Sequence, residues 1–298
     1  MLDFGKYDQL CRAGPLTVCP LVGKGNLGID PICYARAFSI GSTVVFEAAT
    51  LAVYIIALLM TIFMILSIKS KYTAVGRKEV LLFFYLYALI TIVSFFLQSG
   101  IIPTYMAVYK WFAAAHIGLI TAACWCLFLN GFVGYQFIED GTAFSLWSIR
   151  LSSLAVFLAS GVIGLATFNS WGFFAPDKTM GLYVVHLVIN GVLLLIYFIT
   201  QCILVFRNLD DLWPLGNMIL SLLFFAAGEV ILLQFSSMIC ELMKHYFDGL
   251  FFESILTLLA VMMIYKFWDS ITKEDLEFSI GGKLNVWEVK EVEDGYYH

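Results

Sequence analysis

The chain has 298 residues, 61% of them apolar and 13% charged, roughly half the charge of an ordinary soluble domain, and its mean hydropathy is +0.89. That excludes a soluble globular protein, a disordered chain and a disulfide-dense secreted module. With 17 Lys and Arg against 22 Asp and Glu, the net charge of −5 leaves no basic stripe for nucleic acid, and the lipid bilayer is the expected solvent.

A helix needs roughly 20 mostly apolar residues to cross a hydrocarbon core about 30 Å thick. Residues 1–42 lack the apolar core of a cleavable signal peptide, so the first span is expected to act as the targeting signal. Spans are predicted over Thr43–Ile68, Val80–Gly100, Trp111–Phe137, Trp147–Phe168, Gly181–Phe206, Asn217–Ile239 and Gly249–Phe267. These runs are continuously apolar and too long for strands, so the fold class is all-α: a polytopic bundle of seven transmembrane helices. Three parts follow: an N-terminal tail at 1–42, the bundle at 43–267 and an acidic tail at 268–298.

Basic residues near the span ends set the orientation. Nine lie on one side (Lys69, Lys71, Arg77, Lys78, Arg150, Arg207, Lys266, Lys273, Lys283) against five on the other (Lys24, Arg36, Lys110, Lys178, Lys244). The nine mark the cytosol, so the N-terminus is expected outside or in the lumen and the C-terminus in the cytosol. Cys11, Cys19 and Cys33 precede the first span and Cys240 ends the sixth, all on the predicted oxidising side. Four cysteines admit three connectivities. Cys11 with Cys19 and Cys33 with Cys240 is favoured, because it closes a short loop and pins the tail to the bundle; four free thiols are the alternative. Cys124, Cys126 and Cys202 lie within spans and read as small apolar packing residues.

Ionisable residues at membrane depth are costly unless partnered, and so mark sites. Glu229 falls near the middle of the sixth span, and Glu47, His116, His186 and Glu253 in the lumenal half or rim of the first, third, fifth and seventh. A convergent set would bind a cation or relay protons, yet no two histidines have metal-ligand spacing. Interhelical hydrogen bonding, helped by Asn130, Asn190, Gln201 and Gln234, is the plainer reading. No catalytic, metal or cofactor site is expected.

Seven spans invite comparison with a receptor, and the receptor chemistry fails. The third span ends Gln136-Phe-Ile-Glu-Asp140 where an Asp-Arg-Tyr switch would stand. The seventh ends Met262-Met-Ile-Tyr265 without Asn-Pro-x-x-Tyr, and Lys266 sits at its end, too far out for a retinal Schiff base. No matched pair of Gly/Pro-broken helices suggests a transporter. The segments outside the membrane are more distinctive. Lys69, Lys71, Arg77 and Lys78 crowd the first cytosolic loop, suited to anionic headgroups or an acidic partner, or to topology setting alone. Gly131 and Gly134 favour close helix packing. In the acidic tail, Gly281-Gly282 between Leu276–Ile280 and Lys283–Val289 predicts a hairpin turn, with a solvated tail as the alternative.

Taken together, Tyr72-Thr-Ala-Val-Gly-Arg-Lys-Glu79, Cys124-Trp-Cys126 leading to Asn130-Gly-Phe-Val-Gly-Tyr135, Glu139-Asp-Gly-Thr142, Trp213-Pro-Leu-Gly216, and Asp248-Gly-Leu-Phe-Phe252 running on to Trp268-Asp-Ser-Ile-Thr-Lys-Glu-Asp-Leu-Glu-Phe278 resemble the fungal chitin synthase export chaperones, as does Cys11 to Cys19 followed by Cys33-Tyr-Ala-Arg36. The resemblance spans nearly the whole chain. It implies a non-enzymatic, multi-pass protein of the endoplasmic reticulum that helps a chitin synthase fold and leave for the cell surface, with travel alongside the client and homo-oligomers left open. Client contact is expected on a lipid-facing helix surface, at Lys69, Lys71, Arg77 and Lys78, and on the tail at Trp268, Asp269, Lys273, Glu274, Asp275, Phe278 and Trp287. A seven-helix receptor or sensor and a small-molecule transporter are the alternatives.

Overall fold

The structure, a computed structural model, describes residues 5–24, 28–40, 43–72, 74–135, 141–208 and 212–294, with side chains described for all of these except Ile40, Thr43 and 273–294. The N-terminal segment holds a short helix, α1 (Asp8–Ala13), and a 3-10 turn at Cys19–Leu21. An antiparallel ribbon of β1 (Phe38–Ile40) and β2 (Thr43–Val45) follows, with Phe38 opposite Val45. Then come α2 (Ala48–Ser70), α3 (Arg77–Gln98), α4 (Ala107–Val133), α5 (Ala143–Phe168), α6 (Met180–Arg207), α7 (Trp213–Leu242) and α8 (Gly249–Asp294). Among the described residues, these seven are long and apolar enough to cross a membrane, α8 through its first part, Gly249–Thr272. Short π-helical stretches interrupt α6 at Val184–Ile189 and α7 at Ile231–Phe235.

Local chemistry sets the helix starts. The Thr142 hydroxyl accepts a hydrogen bond from the Ser145 amide at 3.3 Å and caps α5. Pro214 occupies the first turn of α7, where its missing N–H costs nothing. Gly76, at φ 64°, turns the chain into α3. The first span begins at Ala48, not at the predicted Thr43. Thr43-Val-Val is β-branched and pairs with β1, and Glu47, in the left-handed region at φ 49°, separates ribbon from helix. The predicted end of the third span at Phe137, within 136–140, lies outside the described residues. The hairpin expected at Gly281-Gly282 is not formed; α8 runs through it to Asp294. Extending a helix already nucleated in the membrane fixes one residue per bond gained, whereas an isolated hairpin is marginal in water.

Helix α4 is the central post. More than half of its most apolar stretch, 56%, is buried inside the protein, against 22% for α6 and for α7. It packs on α3, α5 and α6, while α8 packs on α7 and α2. Small residues permit the approach: a Cβ on Gly118 would lie 2.8 Å from the Phe157 carbonyl of α5, and Cβ atoms on Gly131 and Gly134 would lie 2.7 Å from Thr200 and Leu204 of α6. Two apolar clusters result. One, near the α2–α3 loop, gathers Met64, Ile68, Phe84, Cys126, Val205, Met218 and Trp268. The other, at the opposite end, seats Tyr7, Leu10, Cys11, Val18 and Val22 on Leu97, Tyr109, Ile117, Phe168 and Leu182, so the N-terminal segment covers that end of the bundle.

Gly118→Val places branched carbon against the α5 backbone, which cannot retreat as a flexible side-chain tip would. It is expected to cost about 1–3 kcal/mol and to lower the melting temperature in detergent by several degrees, read by intrinsic tryptophan fluorescence, while Gly191→Val, where no atom lies within 4 Å of the added Cβ, is expected to leave it unchanged.

Candidate functional site

The α2–α3 loop folds onto the point where α8 leaves the membrane-spanning region. Lys71 forms an ion pair with Asp269, and its ammonium lies 5.6 Å from the centre of the Trp268 ring. The Trp268 indole N–H donates to the Val75 carbonyl at 3.1 Å, and the Ser67 and Tyr265 hydroxyls share a hydrogen bond of 2.7 Å. Arg77 donates to the carbonyls of Lys69 and Lys71 at 3.2 and 3.5 Å and lies over the Tyr72 ring. Of the predicted contact residues, Lys71, Arg77, Trp268 and Asp269 are thus brought together as an internal latch. Lys69 and Lys78 remain exposed, with the Lys69 ammonium 5.5 Å from the centre of the Tyr85 ring. Lys273, Glu274, Asp275, Phe278 and Trp287 lie on helical backbone outside the residues with described side chains.

Glu79 is a fastener the sequence reading passed over. It is 1% exposed, and its Oε1 accepts from the Gly141 amide at 2.8 Å and the Ser145 hydroxyl at 3.1 Å, tying α3 to the start of α5. The signal was an acid one turn inside a span, facing the Gly-Thr that opens another.

At the opposite end, each histidine takes a partner from the N-terminal segment. His116 lies 3.3 Å from the Thr17 hydroxyl through Nδ1 and 2.8 Å from the Ser94 hydroxyl through Nε2. His186 Nδ1 lies 3.3 Å from the Tyr7 hydroxyl. Glu253 accepts from Thr257 at 2.8 Å, and Gly228, just before Glu229, packs against the Glu253 backbone. Glu47, beside the N-terminus of α2, is buried with Oε2 unpartnered among the described residues, as is Oδ2 of Asp248. Asp248 Oδ1 accepts from the Phe251 amide at 3.1 Å and caps α8. Burial, then the charge of Asp248, hold the Glu47 carboxyl well above the usual carboxylate range, and burial raises Asp248 as well.

The structure links Cys11 to Cys19 and Cys33 to Cys240, with Cα separations of 5.5 and 6.1 Å, and leaves Cys124, Cys126 and Cys202 free. Among the described residues, the one His/Cys/Asp/Glu group converging within ligand distance is Cys33, Cys240 and His245. Both of its sulfurs are spent in the disulfide, so no thiolate is offered to a metal. Glu47, His116, His186, Glu229 and Glu253 do not converge as one ligand set.

Because the folded protein raises the Glu47 carboxyl above its unfolded value, its stabilising contribution is complete below the unfolded value and lost as pH rises through the folded one. Glu47→Gln, neutral throughout, is expected to match the wild type at pH 4 and to melt about 3 °C higher at pH 9. Differential scanning fluorimetry in detergent across that range reads the crossover, and equal shifts at both ends would contradict it.

Comparison with known proteins adds an independent line. The family model described as chitin synthase export chaperone matches residues 3–282. Curated proteins of that name are 51% identical over 98% of this chain and 89% of their own in Coccidioides immitis, and 50% identical over 97% and 89% in Aspergillus oryzae. The Neurospora crassa protein is 49% identical over 98% and 83%. No solved structure matches. The chain belongs to the chitin synthase export chaperone family.

Proposed function

We propose that this protein is a membrane chaperone that binds a chitin synthase in the endoplasmic reticulum and promotes its folding and export, so supporting chitin deposition in the cell wall. The observation that carries the reading is the family match over residues 3–282. The family consists of export factors, not enzymes, and no arrangement of side chains among the described residues favours the receptor, sensor or transporter alternatives. Seven apolar helices make the protein multi-pass. The excess of basic residues on the α2–α3 loop side supports a cytosolic C-terminus, and two disulfides at the other end support a lumenal N-terminus. The division into a lumenal segment (1–42), a bundle (43–267) and a cytosolic tail (268–298) follows from the same reading.

A polytopic client exposes polar and small residues on its helices until its own bundle closes, and these mispair readily in hydrocarbon. A partner helix surface that covers them prevents aggregation. On the cytosolic side, the exposed Lys69 and Lys78 flank the latch and are available to an acidic client segment, while Lys71, Arg77, Trp268 and Asp269 fix where α8 points its continuation. That continuation carries Lys273, Glu274, Asp275, Phe278 and Trp287. Transit with the client to the plasma membrane and self-association both accord with this arrangement.

Affinity purification of the tagged protein in mild detergent is expected to recover a chitin synthase in near-equal amount. Lys71→Asp breaks the latch and is expected to cut that recovery roughly fivefold, equivalent to about 1 kcal/mol. Lys71→Asp combined with Asp269→Lys is expected to restore it. A synthase absent from the wild-type eluate would overturn direct binding, and a double variant no better than the single one would overturn the latch.

A further inference from the structure

The two disulfides differ in one respect that bears on their chemistry. At Cys33–Cys240, the imidazole of His245 lies against the sulfurs, with Nδ1 3.2 Å from Cys33 Sγ and 3.7 Å from Cys240 Sγ. The same Nδ1 is 3.0 Å from the Tyr34 carbonyl oxygen. A carbonyl only accepts, so Nδ1 carries the proton and donates it to Tyr34, with both sulfurs of the bridge beside the same nitrogen. No such group serves Cys11–Cys19: among the described residues, the other histidines are engaged by Thr17 and Ser94 (His116) and by Tyr7 (His186).

The turn that carries His245 is also exposed. Lys244 and His245 both sit in the left-handed region, at φ 52° and 67°, though neither is glycine. Both are exposed, as are Leu242, Met243 and Tyr246 around them. Backbone hydrogen bonds within the turn, among them the His245 amide to the Cys240 carbonyl at 2.9 Å, shape it, and Arg36 ties it to the N-terminal segment: its amide donates to the His245 carbonyl at 2.8 Å, and its guanidinium stacks 4.4 Å over Tyr246 while donating to its hydroxyl. Opening it would uncover a bridge whose sulfurs are otherwise buried, Cys33 at 5% and Cys240 at 0% exposure.

We propose that Cys33–Cys240 is an exchangeable disulfide at which His245 is the acid–base group, so that an external dithiol opens it and uncouples the segment around Cys33 from the end of α7 while Cys11–Cys19 stays closed. One thiolate of the dithiol bonds to Cys33 Sγ, the less buried sulfur. The Cys33–Cys240 bond breaks with its electron pair on Cys240 Sγ, which takes the Nδ1 proton of the protonated imidazole and leaves neutral His245 with its proton on Nε2. The second thiolate of the reagent then displaces Cys33, which takes a proton from solvent. The dithiol ends as a disulfide, oxidised by the two electrons that reduce the protein bridge. Closure runs the same steps backward, with His245 accepting the Cys240 proton. The dithiol is either a small molecule or the active site of a thiol oxidoreductase.

The test uses the full chain in detergent, with dithiothreitol in one arm and a reduced protein disulfide isomerase in the other. Samples are acid-quenched, alkylated and read peptide by peptide by mass spectrometry. Cys33 and Cys240 thiols are expected to appear about tenfold faster than those of Cys11 and Cys19, and His245→Gln is expected to slow them about tenfold. Arg36→Gln, which loosens the turn and keeps the imidazole, is expected to speed them. If His245 merely packs, its removal accelerates opening as Arg36→Gln does, and that result, or equal rates at the two bridges, overturns the proposal. Should His245→Gln misfold, ethoxyformylation of the exposed imidazole in folded wild type and its reversal by hydroxylamine supply the same comparison. Opening faster in the enzyme arm at matched thiol assigns an oxidoreductase, and equal opening assigns a small thiol. The chemistry is read without a membrane, so its failure is distinguishable from failure of the lumenal assignment.

Discussion

Inside hydrocarbon a polar group has no water to fall back on, and the arrangement of this bundle follows from where such groups find partners. Thr61, Thr91, Thr121, Ser160 and Thr167 turn their hydroxyls back onto carbonyls of their own helices. Other groups also reach a second helix. Asn130 reaches Cys126 and the Glu79 carbonyl, Gln201 reaches Gly131 on the neighbouring helix, and Ser221 of α7 reaches Ala260 of α8. These bonds select which faces meet, since apolar faces alone are interchangeable with lipid.

The same requirement explains the two ends. Near the α2–α3 loop, charged and aromatic groups are paired within the chain, so a loop dense in lysine becomes a latch flanked by the exposed Lys69 and Lys78 instead of a diffuse basic patch. At the opposite end the protein uses its N-terminal segment as the partner: Thr17 and Tyr7 meet the buried histidines, and Asp248 meets a helix-capping amide, while Glu47 is left buried with one oxygen unpartnered among the described residues.

Much of this architecture is legible in the residues. Seven uninterrupted apolar runs longer than the membrane is thick permit few alternatives, and Gly131 with Gly134 announces a close helix contact without naming α6 as the partner. Other features depend on contacts remote in sequence. Thr43-Val-Val is as apolar as the span it precedes, and only its pairing with Phe38–Ile40 takes it out of the helix. His116 and His186 read as a convergent set because they share a depth, but depth is not azimuth, and each meets a different residue of the N-terminal segment. Glu79 is legible only as an acid one turn inside a span, because its partners Gly141 and Ser145 lie beyond a further helix, at the start of α5. The helical path beyond Thr272 depends on a boundary condition, a helix already formed upstream, that the local Gly-Gly pattern does not contain.

The π-helical stretch at Ile231–Phe235 gives α7 a phase as well as a kink. A π turn holds an extra residue within roughly the rise of an α turn, and each residue advances an α-helix by about 100°. Everything from Ser236 to Cys240 is therefore indexed by that stretch relative to the part of α7 that docks on α8. Winding the same residues as regular α-helix would keep the hydropathy while swinging Cys240 about a quarter turn away from Cys33, whereas deleting one residue there would leave the flanking faces in place. In this protein, the alignment of a covalent bond across 207 positions of sequence is set by the winding of one helical turn.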